Sequence, residues 1–181
     1  MKHTVYLGLG SNVGHRIEFL AAAIRGLADL DRTVVDGVSN VYVTEPVGDV
    51  PQQDFLNLAL SVRTDLDHVE FHRLMKWLEK EIGRTESERW GPREIDIDLL
   101  MFDNMVIDTD TVRIPHIELA KRKFVLQPLA DIAPMAVHPV LHRTIEALNN
   151  ETTDNHGVVH SELHTSQLFA LINDSITNPT V

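Results

Sequence analysis

Residues 94–102 read EIDIDLLMF, with RWGPR directly before them at 89–93. Ile95, Asp96, Ile97, Asp98 and Leu99 alternate with the period of two that a strand imposes, so the apolar residues share one face and both acids the other. Gly91-Pro92 is a breaker that marks where the strand begins. Upstream, Phe71, Leu74, Met75, Leu78 and Ile82 recur at helical spacing within 67–83, and Gly83 suits the position just past a helix. DFLNLALSVRT (54–64) alternates as a strand, and RTVVDGVSNVYVT (32–44), rich in β-branched residues, is its expected antiparallel neighbour. HTVYLGLG (3–10) is a further strand, followed by Ile17, Leu20, Ala21, Ile24, Leu27 and Ala28 at helical spacing.

The resulting order, strand, helix, strand, strand, helix, strand, is the split-βαβ pattern of ferredoxin-like folds. The fold class is therefore α+β, a βαββαβ core with an antiparallel sheet and helices on one face, plus C-terminal additions. Those additions are read as a hairpin near 105–114, a short helix around 117–123, an irregular link at PLADIAP (128–134) and a small helix from Thr144. Residues 1–150 form one expected domain. From Glu151 the chain turns polar, with a weakly amphipathic SQLFALI at 166–172, so 151–181 is expected to be a partly disordered appendage.

Composition narrows the function. With 181 residues and 43% hydrophobic residues the chain can bury a core, and it lacks an apolar run long enough to span a bilayer. The N-terminus carries no small-residue cleavage site, so a cytoplasmic location is expected. Without cysteine, any metal must be held by carboxylate or imidazole, which favours a hard ion. A net charge of −11 opposes broad binding to nucleic acid. Even so, ten of the sixteen Lys and Arg fall between Arg73 and Lys123, a local basic site suited to a small polyanion.

Asp96 and Asp98 should stand about 6.5 to 7 Å apart at their Cα atoms, close enough to serve one cation or a closely spaced pair. A lone Asp-x-Asp is more often a solvated strand face. Here the Trp-Gly-Pro-Arg turn and the flanking Arg89 and Arg93 favour a carboxylate-bound metal beside phosphate-binding guanidiniums. The connections at 45–54 and 83–92 are long, polar and marked by Pro or Gly, as closing lids are.

RWGPREIDIDLL, with GSNVG near the N-terminus, TEPVG, DFLN and IPH in the same order, resembles the 6-hydroxymethyl-7,8-dihydropterin pyrophosphokinase family of folate biosynthesis, from about residue 3 to 149. The resemblance implies transfer of diphosphate from ATP to the pterin hydroxymethyl group, releasing AMP. It implies two Mg²⁺ ions on Asp96 and Asp98, ATP as co-substrate, and Arg84, Arg93, Asp96 and Asp98 as the catalytic set. For the pterin it implies Thr44, Pro46, Val47, Phe55, Asn57, Trp90, Asp96 and Phe124, the two Phe rings sandwiching the heterocycle. For ATP it implies Glu79, Arg84, Arg89, Trp90, Arg93, Leu99, His116 and Arg122. The partners are then ATP and the pterin, with no nucleic acid and no membrane. The expected state is a monomer, a weak dimer being the alternative. A departure from relatives is Glu86, where a second loop arginine is common.

Two signals carry less. GLGSNVG (8–14) misses the dinucleotide and P-loop patterns and is read as a tight strand-to-helix turn. His156, His160 and His164 would align only on a helix, which Gly157 and the polar setting disfavour.

Overall fold

The computed structural model describes residues 1–48, 51–85 and 91–177, with side chains as far as residue 173. In chain order the core elements are β1 (His3–Ser11), α1 (Arg16–Ala28), β2 (Thr33–Val38), β3 (Tyr42–Thr44), β4 (Phe55–Thr64), α2 (His68–Ile82) and β5 (Asp96–Phe102). The hairpin β6 (Ile107–Asp108) and β7 (Arg113–Ile114) follows, then a 3₁₀ turn at Leu119–Lys121, α3 (Lys123–Ile132), α4 (Ile145–Glu151), β8 (Val158–His160) and α5 (Glu162–Thr177). The main sheet runs β5-β1-β4-β3-β8 with β2 also on β4, and all its pairings are antiparallel. This is the expected ferredoxin-like core.

Alternation in β1 sends Val5, Leu7 and Leu9 into a core shared with Leu20, Ile24 and Leu27 of α1 and Phe71 and Met75 of α2. Asp67 caps α2 by accepting from the amides of Val69 and Glu70, both at 2.9 Å, and Gly83 closes it at φ 114°. The expected single strand at 32–44 is two. Ser39 interrupts it, its Oγ accepting from the Ala59 amide and donating to the Asn40 carbonyl, a side-chain competition with the ladder that ends β2.

Helices cover both sheet faces rather than one. The pairing slips between Tyr6 and Leu7, leaving Leu100 as the extra residue of a bulge. Leu100 and Met101 thereby join Ala59 against Val125, Leu126 and Leu129 of α3 and Ile145 and Leu148 of α4. The expected irregular link at 128–134 is mostly helix. Pro128 forgoes only the bond to the Phe124 carbonyl near the helix start, and burial of Leu126 and Leu129 outweighs it.

The described part of the polar tail forms β8 and α5. β8 pairs with β3 through Thr44↔Val158, Val43↔Val159 and Tyr42↔His160, while α5 packs on α1 with Leu168 fully buried. Thr165 Oγ1 accepts from the Val41 amide at 2.9 Å, and Arg25 donates to the Leu171 carbonyl. His156 precedes β8, His160 lies in it and His164 sits in α5, so the three share no helix. No described helix is long and apolar enough to cross a membrane. Leu168→Ala should cost about 2 kcal/mol or more by denaturant unfolding, as a filled core site does. An unchanged midpoint would mean that α5 is not docked.

Candidate functional site

On the α3 side of β1, beyond Tyr6, stand Gly8 and Gly10, whose partners are Asp98 and Asp96 on β5 and Ala59 and Asn57 on β4. Without side chains at these positions the sheet floor stays open. A Cβ on Gly10 would lie 2.6 Å from Asn57 Oδ1, so close that Asn57 would have to move. Above this floor is a cavity, open at its mouth, where a few polar groups converge among apolar and aromatic side chains. Thr44, Glu45, Val47 and Phe55 line it from the β3–β4 side, Arg122, Phe124 and Val125 from the start of α3, and Gly91 and Arg93 from the turn before β5. Asn57 is 8% exposed and donates to Thr44 Oγ1 at 2.6 Å, fixing the amide orientation. The Arg122 guanidinium lies 5.6 Å from the Phe124 ring centre.

Asp96 and Asp98 share the cavity floor but not their surroundings. Asp96 Oδ1 accepts from Arg84 at 2.7 Å and Oδ2 from Arg93. Burial pushes its carboxyl up, but Arg93, Arg84 and Lys76 outweigh burial and hold it below the ordinary carboxylate value. Asp98 accepts no hydrogen bond from the described residues. Burial first, then the adjacent Asp96 charge, push its carboxyl up.

Behind the pair, Glu79 is 3% exposed, and its Oε1 accepts from the Ile97 amide at 2.6 Å, Lys76 at 2.8 Å and Arg84 at 2.7 Å. It therefore reaches neither cavity and acts as the anchor that aims Arg84 at Asp96. Arg84 carries its charge more firmly than a free guanidinium, because the pull of Asp96 and Glu79 exceeds the effect of burial.

A second cavity opens on the other flank of β5, lined by His72, Lys76, Leu99, Thr109–Arg113 of the β6–β7 hairpin, His116 and Ile117. Burial and the Lys76 charge hold His72 below its usual value, favouring the neutral imidazole. Asp98 lines both cavities. It stands where one space meets the other.

The first cavity thus gathers Thr44, Val47, Phe55, Asn57, Arg93, Asp96, Asp98, Arg122 and Phe124, and the second Leu99 and His116. Pro46, half-buried, and Arg84, held between Glu79 and Asp96, line neither, and Arg122 is on the first rather than the second. Arg89, Trp90 and Glu86 lie outside the described residues. Sequence reasoning missed the floor glycines, although LGLG alternates leucine and glycine with the period of a strand. It also missed Asn12, 1% exposed, whose Nδ2 donates to Gln52 Oε1 and the Gln53 carbonyl. Asn12 Oδ1 accepts from the Arg93 amide at 2.8 Å, and its own amide donates to the Arg93 carbonyl. One side chain so ties the 45–54 connection to the turn that carries Arg93. Asn12→Ala should speed amide hydrogen exchange at Arg93 about tenfold, consistent with the loss of one buried bond. Unchanged exchange would show that the tie does not hold the turn.

Comparison with known proteins identifies the family. The family model for 7,8-dihydro-6-hydroxymethylpterin-pyrophosphokinase matches residues 6–134. The 2-amino-4-hydroxy-6-hydroxymethyldihydropteridine pyrophosphokinase of Aquifex aeolicus is 41% identical over 150 residues, covering 83% of this chain and 92% of that one. Its namesake from Bacillus subtilis is 41% identical over 132 residues, 73% and 79% of the two chains. Among solved structures, Plasmodium falciparum HPPK-DHPS with pteroate aligns at TM-score 0.67 and 16% identity, covering 82% of this chain. This chain spans 44% of that longer protein, and at such identity the likeness bears on fold alone. With the family's length matched from β1 into α3 and beyond, the chain belongs to the 7,8-dihydro-6-hydroxymethylpterin-pyrophosphokinase family.

Proposed function

We propose that the chain transfers the β,γ-diphosphoryl group of ATP to the hydroxymethyl group of 6-hydroxymethyl-7,8-dihydropterin, with Mg²⁺ held at Asp96 and Asp98. The observation that carries this reading is the position of Asp98 on the border of two cavities, one lined by the rings of Phe55 and Phe124 and the other by Lys76, Arg113 and His116. A flat heterocycle fits the first, against the rings of Phe55 and Phe124, with Asn57 and Thr44 meeting its polar edge. The triphosphate fits the second, beside Lys76, Arg113 and His116.

In the reaction the pterin hydroxyl oxygen bonds to the β-phosphorus, the bond from that phosphorus to the bridging oxygen of the α-phosphate breaks, and AMP leaves. The hydroxyl proton passes to water. Arg93, clamped to Asp96, lines the cavity, and its buried Nε has no partner among the described residues. It and Arg84 hold the negative charge that develops on the transferred group.

The donor set fits a hard divalent cation. Asp98 is a half-buried carboxylate with no hydrogen bond from the described residues, beside a second acid whose charge raises its carboxyl, and a cation between them would relieve that repulsion. Among the described residues no three His, Asp or Glu cluster as metal ligands, so the remaining ligands come from phosphate oxygens and water, as is usual for Mg²⁺. When bound, such ions neutralise the triphosphate and lower the proton affinity of a coordinated hydroxyl.

Asp98→Asn keeps the shape of the site and removes its charge. It should lower kcat about a hundredfold or more while changing pterin affinity by less than about threefold. Equal, modest losses in both would contradict the metal-holding role.

A further inference from the structure

The segment just past the α4 helix joins the two sides of the first cavity through its hydrogen bonds. Asp154, 9% exposed at its side chain, accepts from the Lys123 amide through Oδ2 at 2.8 Å. Lys123 is the first residue of α3, whose own boundary residue, Arg122, offers no capping side chain. Its neighbours Arg122 and Phe124 line the cavity. Three residues after Asp154, Gly157 exchanges backbone and side-chain bonds with Glu45: its amide donates to Glu45 Oε2 at 3.0 Å, and its carbonyl accepts from the Glu45 amide at 3.2 Å. Glu45 and Thr44 line the opposite side. The His156 amide and ring hold Asp154 Oδ1, which leaves Oδ2 for Lys123.

We infer that Asp154–Gly157 is a strap that sets the distance between the two sides of the pterin cavity, with Asp154 and Glu45 as positioning residues for the flat substrate. The inference rests on the pterin reading above. It concerns residues beyond 134, where the family match ends. The physical reason is the narrow tolerance of ring stacking. A planar heterocycle between Phe55 and α3-borne Phe124 gains contact only if the start of α3 stays at one distance from β3, and dispersion falls steeply over a gap of half an ångström. Burial of α5 through Leu168 anchors the far end of the strap. Because the Asp154 carboxylate already satisfies the Lys123 amide, the start of α3 is set up to hold Phe124 rather than to take an anion.

The test uses the full chain and measures equilibrium binding of 6-hydroxymethyl-7,8-dihydropterin in the presence of a non-hydrolysable ATP analogue, alongside steady-state KM values for both substrates. Asp154→Ala should weaken pterin binding about fivefold, the effect of a lost helix cap expressed at the site, with KM for ATP unchanged. Asp154→Asn, which keeps an acceptor for Lys123, should recover most of the loss. Unchanged pterin affinity in Asp154→Ala would overturn the strap, as would a lowered melting temperature with both KM values intact, the mark of a merely structural brace. A parent chain that binds pterin without turnover would sink the proposed reaction while leaving the strap to be judged by binding. A parent that binds no pterin would overturn both.

Discussion

Two carboxylates on one strand face, two residues apart and largely out of water, repel each other, and the surrounding structure answers that repulsion. Asp96 is neutralised by a chain of alternating charges: Lys76 and Arg84 meet on Glu79, Arg84 reaches on to Asp96, and Arg93 closes the other oxygen. Asp98 is left out of this network. Asp96 thus holds the two arginines in place, while Asp98 beside it takes no hydrogen bond from the described residues. The Ile97 amide, bonded to Glu79, fixes β5 to α2 so that strand and helix present this arrangement as one unit.

The space in front of the acids comes from what is missing on β1. Gly8 and Gly10 face Asp98 and Asp96 across the ladder, and a side chain at Gly10 would strike Asn57. The bulge at Leu100 turns the far half of β5 toward α3, which covers the sheet there and stops short of the acids. Packing at one end of the face and bare backbone at the other therefore produce a cavity whose floor is charged and whose sides bear aromatic rings.

The strand carrying Asp96 and Asp98 was legible from its period alone, as were the helix capped by Asp67 and closed by Gly83, because those signals are local. The aromatic and polar residues Phe55, Asn57 and Phe124 came from motif order and do gather in one cavity. What escaped is what depends on distant partners. Glu79, expected at ATP, is instead the point on which three donors from α2, β5 and the following loop converge. Asn12 sits in a turn whose glycine content drew attention away from its side chain. Pro128 suggested a break, and only burial against β4 and β5 explains why the helix continues. β8 needs little from its side chains, since its pairing is backbone to backbone, and α5 docks with a single fully buried leucine among its described residues. Neither stands out in a polar sequence.

The most direct measurement is the identity of the nucleotide product. With the chain, ATP, Mg²⁺ and 6-hydroxymethyl-7,8-dihydropterin incubated together and the nucleotides resolved, AMP should appear in equal amount with the pterin diphosphate. ADP in place of AMP would mean attack at the γ-phosphorus, and would contradict a site in which Asp98 brings the hydroxyl to the middle of the triphosphate.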